Sequence, residues 1–337
     1  MSTLTFDVPP ELAATAPPES RGLARDDVRL LVAAPSGVQH RAFHQITSAL
    51  SPGDVVVVNT SATLPAAVGG VRRDGSPVVV HFANPATERA WVVELRRADG
   101  SGPTGDASIG EHIALPGGID LEVIGRRGRF AQALLIAEGP VEGFLARFGR
   151  PITYSYVRDR WPLSAYQTVF AREPGSAEMP SAGRPFTAEL VTDLVTAGVV
   201  VAPIVLHTSV SSPEAHEPPV AERFRVPEGT ARVVNSARRA GGRVVAVGTT
   251  VTRALETVAS TDGAVSPGSG WTDLVLGSNR PARVVNGLIT GWHEPGASHL
   301  HLLTAVAGAD LVQRAYDEAL AAGYLWHEFG DSCLLLP

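Results

Sequence analysis

The stretch GRVVAVGTTVTRALE, residues 242 to 256, joins a short apolar run to a Gly-Thr-Thr turn and then to residues with helical spacing. The apolar run predicts a buried strand over 243–248, and the spacing after the turn predicts a helix over 252–260. Strands that alternate with helices are typical of α/β folds. Ligands of such folds bind beyond the carboxyl ends of the strands, where the turn at 248–250 would lie.

The segments before and after this stretch repeat the alternation. Thr187 suits the N-cap of a helix that runs to about Ala197, and the run GVVVAPIVLH at 198–207 predicts a buried strand. Further helices are predicted over 228–240 and 309–322. The predicted fold class is therefore α/β with a mostly parallel sheet.

A different pattern interrupts this alternation. The composition changes near residues 60 and 150, and between Val68 and about Gly139 short β-branched stretches such as PVVVHFA, AWVVELR and IDLEVIG recur between Gly, Pro, Asp and Ser. Short strands at even spacing are typical of a small barrel or sandwich.

Composition limits the class of protein. The chain has 337 residues, of which 44% are hydrophobic and 18% charged, so we expect a folded protein. Its formal net charge of -6 argues against a strongly basic nucleic-acid coat but permits a local basic patch. Cys333 is the single cysteine, so an intramolecular disulfide is excluded. We expect its side chain to pack among the neighbouring leucines. With no secretory signal and no apolar run of about 18 residues, we expect a cytoplasmic protein without a membrane partner.

Several common nucleotide and metal motifs are missing from the sequence. It contains no G-x-G-x-x-G, no G-x-x-x-x-G-K-[ST], no H-E-x-x-H and no C-x-x-C. Dinucleotide, triphosphate and zinc-protease functions are therefore not supported.

The Gly-Thr-Thr turn and the residues after it form the first candidate site. Backbone N–H groups and the hydroxyls of Thr249 and Thr250 could hold a ribose, a carboxylate or a base edge. Arg253 and Glu256 are three residues apart, where they could pair with each other or with a polar ligand. The alternative is a capped helix with a surface ion pair.

The loop SPGSGWTDLVLG at 266–277 is the second candidate, since its glycines permit close backbone approach. Trp271 could stack on a base or face a cation, or it could simply close the core.

The stretch VVNGLITGWHEPGASHLHLL at 284–303 is the third candidate. His293 lies beside an acid just after an apolar strand, which suits either proton transfer or a hydrogen bond within the loop. His299 and His301 would share a face with extended backbone, but no Cys or carboxylate spacing supports a metal site with His293. No metal is therefore predicted.

Together these stretches resemble one family, the S-adenosylmethionine:tRNA ribosyltransferase-isomerases of queuosine biosynthesis. The resemblance runs over nearly the whole chain, and the order and spacing of its motifs make it specific. The motifs are FDVPPELAATAPPESR at 6–21, PGDVVVVN, YQTVFAREPG at 166–175, VVAVGTTVTRALE, GSGWTD, VVNGLITGWHEPGAS and the FGD at 329–331.

The resemblance implies a fold and a reaction. The implied fold is an α/β domain made of residues 1–62 and 150–337, with an inserted β-barrel domain at 63–149. Family members use S-adenosylmethionine as a ribosyl donor and transfer its ribosyl unit to 7-aminomethyl-7-deazaguanine in tRNA. Adenine and methionine leave, and the sugar rearranges to give epoxyqueuosine. The implied partners are tRNA and this co-substrate, and we expect a monomer or weak dimer.

The chemistry of the donor suggests roles for individual residues. A sulfonium acidifies the neighbouring C5′ hydrogens, so that a base with a pKa near 7 could remove one, while aromatic faces could hold the positive sulfur. The predicted catalytic residues are His293, Glu256 and Asp331. The predicted donor-binding residues are Thr249, Thr250, Arg253, Gly270, Trp271, Thr272, Trp292, Ser181, Gly183 and His207.

Some segments depart from the family pattern. Ala62 and Ala67 stand where the family has arginines, and MPSAGRPF at 179–186 has Pro185 where it has a histidine. LHTSVSSPE at 206–214 keeps His207 but lacks the usual glycines. The pattern leaves open two alternatives: an enzyme that uses S-adenosylmethionine on a different and possibly small acceptor, and a non-catalytic binding protein.

Binding of tRNA would require a basic surface near the site, because RNA affinity depends on neutralising phosphates. The arginines available for such a surface are Arg158, Arg160, Arg232, Arg238 and Arg239.

Overall fold

The secondary structure was obtained from a computed structural model, which describes residues 4–87, 89–211 and 220–337. Ser212 to Glu214 of the segment LHTSVSSPE lie outside these residues. The strands are β1 Arg29–Ala34, β2 Gly37–Ala42, β3 Val55–Asn59, β4 Ser61–Thr63, β5 Ala67–Arg72, β6 Pro77–Pro85, β7 Ala90–Arg97, β8 His112–Leu115, β9 Ile119–Arg127, β10 Phe130–Ile136, β11 Glu173–Ser176, β12 Val200–Leu206, β13 Glu222–Val226, β14 Val244–Val247, β15 Gly268–Thr272, β16 Gly287–Thr290 and β17 Ser332–Leu335. The helices are α1 Val141–Phe148, α2 Ala188–Thr196, α3 Glu228–Arg239, α4 Gly248–Thr257, α5 His299–Ala307 and α6 Ala309–Ala321.

A nine-stranded sheet in the order β15-β13-β12-β3-β14-β16-β17-β1-β2 forms the centre of the fold. The four neighbouring strands β12, β3, β14 and β16 are parallel, so their carboxyl ends meet at one edge. β17 is antiparallel to β16, and its amino end therefore lies at that same edge. The predicted α/β class is confirmed, although the parallel pairing is concentrated in the middle of the sheet and its outer strands are antiparallel.

Helices cover both faces of the sheet, because the central strands are apolar on both sides. Val55 and Val57 of β3 pack into the core that contains α3, α4, α5 and α6. Val56 and Val58 point to the other face, where they pack with Leu190 of α2. A strand buried on both faces has the continuous apolar run seen in the sequence.

The strands between β5 and β10 close into a barrel in the order β10-β7-β6-β5-β8-β9. Trp91, Phe82 and Leu121 fill its interior, and Phe144 of α1 packs on the same cluster. The barrel contains the three stretches PVVVHFA, AWVVELR and IDLEVIG, which the sequence analysis assigned to strands between Val68 and Gly139. The domain division at residues 62 and 149 stays a prediction.

Three local predictions differ from the structure. Helix α4 begins at Gly248, not at 252, so the Gly-Thr-Thr segment is its first turn. The segment at 268–272 is strand β15 itself, because it pairs with β13. His299 and His301 lie on helix α5, so they do not share the face of a strand.

No helix in the described ranges is both long and apolar enough to cross a membrane.

Candidate active site

A cavity of about 310 Å³ opens at the edge where the parallel strands end. Its walls come from the segment after β12, the first turn of α4, the loop after β16, the loop before β17, and the chain on both sides of β11. Of the predicted site residues, it is lined by Ser181, Thr249, Thr250, Arg253, Trp292 and His293. The remaining seven lie outside it.

The start of α4 presents backbone donors to this cavity. Gly248 has a φ of 90°, a conformation that favours glycine, and this lets β14 turn directly into the helix. The N-cap residue, Val247, makes no side-chain hydrogen bond to the first turn. A helix start without a side-chain cap leaves N–H groups that suit an anion or a hydroxyl of a ligand. The buried Thr250 Oγ1 also has no hydrogen-bond partner among the described residues.

His293 follows β16 and contributes an imidazole to the cavity wall. Its Nε2 lies 3.0 Å from Thr290 Oγ1, and its ring stacks on His299 with 4.6 Å between centroids. Burial, together with the nearby His299 and His327, holds the pKa of His293 well below its usual value. The ring is therefore neutral near pH 7 and has one nitrogen able to accept a proton.

The side chain of Trp292 is buried in the wall of the cavity. Its ring stacks on Trp326 at 5.3 Å and meets Tyr316 edge-on. Its Nε1 has no hydrogen-bond partner in the described part of the chain. The residue thus forms one apolar wall of the cavity with a single polar donor.

Arg253 pairs with Glu222, although the sequence suggested Glu256. The guanidinium also donates to the carbonyls of Leu274 and Thr272, at 3.2 and 3.0 Å. Because these contacts use most of its donors, Arg253 fixes the wall of the cavity where β13, β15 and α4 meet.

Glu256 and Asp331, two of the predicted catalytic residues, do not line this cavity. The carboxylate of Glu256 accepts the backbone N–H groups of Arg283, Val284 and Val285 at 2.8 to 3.0 Å. Asp331 accepts from the backbone of Arg29 and Leu325, each at 2.8 Å, and pairs with the Arg29 guanidinium. Both carboxylates are occupied in holding the backbone together.

The remaining predicted donor-binding residues also lie away from the cavity. Gly270, Trp271 and Thr272 are on β15, where the Trp271 side chain is 51% exposed. Gly183 ends a short 3-10 turn whose first two residues do line the cavity. His207 lies behind the wall, where its Nδ1 and Ser61 Oγ are 2.7 Å apart. The positions of Gly270, Trp271 and Thr272 follow from the pairing of β15 with β13, which the sequence pattern did not reveal.

Four residues that the sequence predictions omit form the most polar part of the wall. Tyr154 donates a hydrogen bond to Glu178, which also accepts the Ser211 N–H at 2.9 Å. Tyr156 donates to Glu328 Oε2 at 2.6 Å. The two tyrosine rings lie 6.1 Å apart at a turn that the Val157 N–H closes on the Tyr154 carbonyl at 3.0 Å, so no regular helix or strand spacing marks them in the sequence. The glutamates lie beside motifs already noted, MPSAGRPF and FGD.

Burial changes the acidity of both glutamates. It raises the pKa of Glu178 to about 7, with a further contribution from the negative charge of Glu328, against the opposing hydrogen bonds from Tyr154 and Ser211. It also raises the pKa of Glu328, against the hydrogen bond from Tyr156. Glu178 can therefore exchange a proton near neutral pH.

His327 is the one non-glycine residue in the described ranges with a positive φ, 73°. Its ring stacks on Tyr156 at 3.9 Å, and its Nε2 lies 3.2 Å from Glu294 Oε1. Backbone strain of this kind persists where the surroundings enforce it, often at functional sites. No group of three His, Cys, Asp or Glu side chains in the described ranges is arranged to hold a metal ion.

A family model described as "Queuosine biosynthesis protein" matches residues 1–335. The chain belongs to this family. Among its relatives in the queuosine biosynthesis family is a protein of Symbiobacterium thermophilum named S-adenosylmethionine:tRNA ribosyltransferase-isomerase, 36% identical, with 100% of this chain and 99% of the relative covered. A Moorella thermoacetica protein of the same name is 36% identical, with 98% of each chain covered.

A solved structure gives the same result for the fold of this queuosine biosynthesis family member. The crystal structure of S-adenosylmethionine tRNA ribosyltransferase from Thermotoga maritima aligns with a TM-score of 0.54 and 28% identity, covering 99% of both chains. The predicted family and the predicted α/β fold with a closed barrel are thereby confirmed.

Proposed function

We propose that this protein transfers and isomerises the ribosyl unit of S-adenosylmethionine onto 7-aminomethyl-7-deazaguanine in tRNA, with release of adenine and methionine. The observation that carries the proposal is the cavity at the carboxyl edge of the sheet, which combines an uncapped helix start with a neutral imidazole. Membership of the family over residues 1–335 supports the same activity.

In this proposal the first turn of α4 binds polar groups of the donor. The N–H groups of Gly248, Thr249 and Thr250 suit its carboxylate or ribose hydroxyls, and the unpartnered Thr250 hydroxyl adds a further contact. Trp292 supplies an apolar wall with one donor. S-adenosylmethionine acts as a co-substrate, and no metal takes part.

His293 is the proposed base that removes a C5′ hydrogen from the donor. Its pKa is held well below the usual value, so the neutral form that accepts a proton predominates at physiological pH, but the low pKa also makes it a weaker base than a group that titrates near 7. Glu256 and Asp331 have no proposed part in the chemistry, since their carboxylates are bonded to the backbone elsewhere.

Adenine release tests the activity directly. Purified protein is incubated with S-adenosylmethionine and with tRNA that carries 7-aminomethyl-7-deazaguanine, or with tRNA that carries guanine at that position. Adenine should form only with the modified tRNA. If calorimetry detects no binding of S-adenosylmethionine at all, every enzymatic proposal made here fails.

Substitution of His293 tests its role. His293→Ala should lower kcat by a factor of about 10² to 10⁴, the usual contribution of a positioned base, while the Kd for S-adenosylmethionine changes little. Unchanged turnover on the modified tRNA would remove His293 as the base.

A second candidate function is the same donor chemistry on a different and possibly small acceptor. It is favoured by one observation: residues of both departing segments, Met179 to Ala182 and Thr208 to Ser211, line the cavity. Adenine release with free 7-aminomethyl-7-deazaguanine, in the absence of tRNA, would favour this candidate.

A further inference from the structure

Five glutamates of the described residues lie in or against the cavity: Glu94, Glu178, Glu222, Glu294 and Glu328. Glu294 Oε1 lies 3.2 Å from His327 Nε2, and the partners of the other four fall into two kinds. Glu94 pairs with Arg96 and Arg129, and Glu222 pairs with Arg253. Glu178 and Glu328 form no ion pair within the described ranges, and each is held by a tyrosine hydroxyl instead. A buried carboxylate is normally matched by a cation or takes up a proton. Arg184, whose charge acts on Glu328, forms its ion pair with Glu19 instead.

The hydrogen bonds of this second pair leave oxygens for a ligand. Tyr154 and the Ser211 N–H both donate to Glu178 Oε1, and Tyr156 donates to Glu328 Oε2. Glu178 Oε2 accepts no hydrogen bond from the described residues, whereas Glu328 also accepts its own backbone N–H. The two groups are also close enough for the charge of Glu328 to raise the pKa of Glu178.

An independent feature beside the pair also indicates a polar ligand. Tyr166 is 3% exposed and lines the cavity within electrostatic reach of Glu328, yet its hydroxyl has no hydrogen-bond partner among the described residues. Ser209 Oγ, buried in the same wall, also has no partner there. Buried hydroxyls are rarely left unsatisfied, so a group outside the described residues is expected to complete them.

We propose that Glu178 and Glu328, positioned by Tyr154 and Tyr156, form a subsite for a primary alkylammonium group. An ammonium carries three donors, which suits two carboxylate oxygens and one hydroxyl. The inference rests on the proposed function, which supplies two such groups: the amine of the methionine part of the donor and the aminomethyl group of the acceptor base.

Charge removal at the two glutamates distinguishes these sources. Glu178→Gln, Glu328→Gln and the double variant keep the shape and an acceptor for each tyrosine, and Glu142→Gln on the exposed side of α1 is the control. Calorimetry gives the Kd for S-adenosylmethionine, for S-adenosylhomocysteine, which keeps the amine but lacks the sulfonium charge, and for 5′-methylthioadenosine, which lacks the amine. Adenine release gives the KM for modified tRNA, and thermal melting shows that each variant is folded.

An acceptor subsite predicts a KM for the modified tRNA at least about tenfold higher in the variants, with donor Kd values unchanged. A donor subsite predicts a similar rise in Kd for S-adenosylmethionine and S-adenosylhomocysteine but not for 5′-methylthioadenosine. Weaker binding of S-adenosylmethionine alone would indicate the sulfonium and contradict the ammonium subsite. Constants within twofold of wild type in a folded double variant would also overturn it.

Failure of the proposed function would appear separately, as absence of adenine release by the wild-type protein. In that case calorimetry with S-adenosylmethionine and with free 7-aminomethyl-7-deazaguanine decides the subsite. Binding to the wild type that is lost in the double variant supports it, and equal binding to both, or none to either, contradicts it.

Discussion

Glu256 and Glu178 are both withdrawn from water, but their surroundings give them different properties. Three backbone N–H groups donate hydrogen bonds to the first carboxylate. The second accepts one backbone N–H and one tyrosine hydroxyl, and burial, with a further contribution from the neighbouring Glu328, raises its pKa to about 7. At the residue scale, the hydrogen-bond partners therefore give the two carboxylates different roles. Glu256 holds the backbone, and Glu178 is suited to ligand binding.

Replacement of Glu256 tests its structural role. Glu256→Gln should lower the free energy of unfolding by about 1.5–3 kcal/mol, because a neutral amide cannot match three converging N–H donors. Urea denaturation measures the change, and Glu228→Gln, in an exposed pair with Arg232, should remain within about 0.5 kcal/mol of wild type. Unchanged stability with a large fall in kcat would instead favour the catalytic role suggested by the sequence.

The raised pKa of Glu178 predicts how ligand affinity depends on pH. The groups that act on it are Tyr154, the Ser211 N–H, Glu328 and Glu94. Below about pH 7 the carboxyl is protonated and attracts a cation less, so affinity for the ammonium ligand should rise as the pH increases from 6 to 8. Calorimetric titrations across this range measure the dependence, which should disappear in Glu178→Gln. A pH dependence that persists in this variant would assign the proton to another group.

At the element scale, the junction between β14 and α4 positions the start of the helix. Glycine and threonine have low helix propensity, so the sequence pattern placed a turn at 248–250 and the helix after it. The positive φ of Gly248 removes the need for a separate loop, and the helix starts directly at the sheet edge. The strand at 268–272 was missed for a related reason, because only its pairing with β13 makes it a strand.

Gly248→Ala tests this junction. An added Cβ would lie 3.3 Å from Ala182 Cβ, and alanine disfavours a φ of 90°, so the start of the helix should shift. We expect a loss of about 1–3 kcal/mol in stability and at least a tenfold higher Kd for S-adenosylmethionine. Gly143→Ala on α1, where the Cβ meets nothing within 4 Å, is the matched control and should be neutral or stabilising. Equal donor affinity in Gly248→Ala and wild type would exclude the helix start as part of the donor site.

At the scale of the whole molecule, the sequence predicted the strands and helices of the fold better than the residues that line the active-site cavity. Apolar runs and their spacing identified the central strands, the barrel strands and most helices, because these patterns are local. The wall formed by Tyr154, Tyr156, Glu178 and Glu328 depends on three chain segments that are distant in sequence and meet only in the folded protein. His293 was found because it follows a parallel strand directly, whereas Glu178 was not, since no local pattern marks a carboxylate that will be buried.

The placement of arginines on the folded chain predicts where tRNA approaches. Arg158 and Arg160 are exposed and follow Tyr156 of the cavity wall, and burial together with the charge of Arg160 lowers the pKa of nearby Arg150. Arg238 and Arg239 end α3 just before β14 begins, at the edge of the sheet opposite to the cavity.

A double substitution, Arg158→Ala with Arg160→Ala, should therefore weaken tRNA binding, with Arg238→Ala and Arg239→Ala together as the control. Each lost phosphate contact lowers the slope of log affinity against log salt by about 1, so the first variant should lose up to about 2 and the control much less. Filter binding of the modified tRNA between 50 and 200 mM salt measures both slopes. The Kd for S-adenosylmethionine should not change, because neither arginine lines the cavity. Equal slopes for the two variants would mean that tRNA does not approach beside Tyr156, and a steeper loss in the control would move its contact surface to the opposite edge of the sheet.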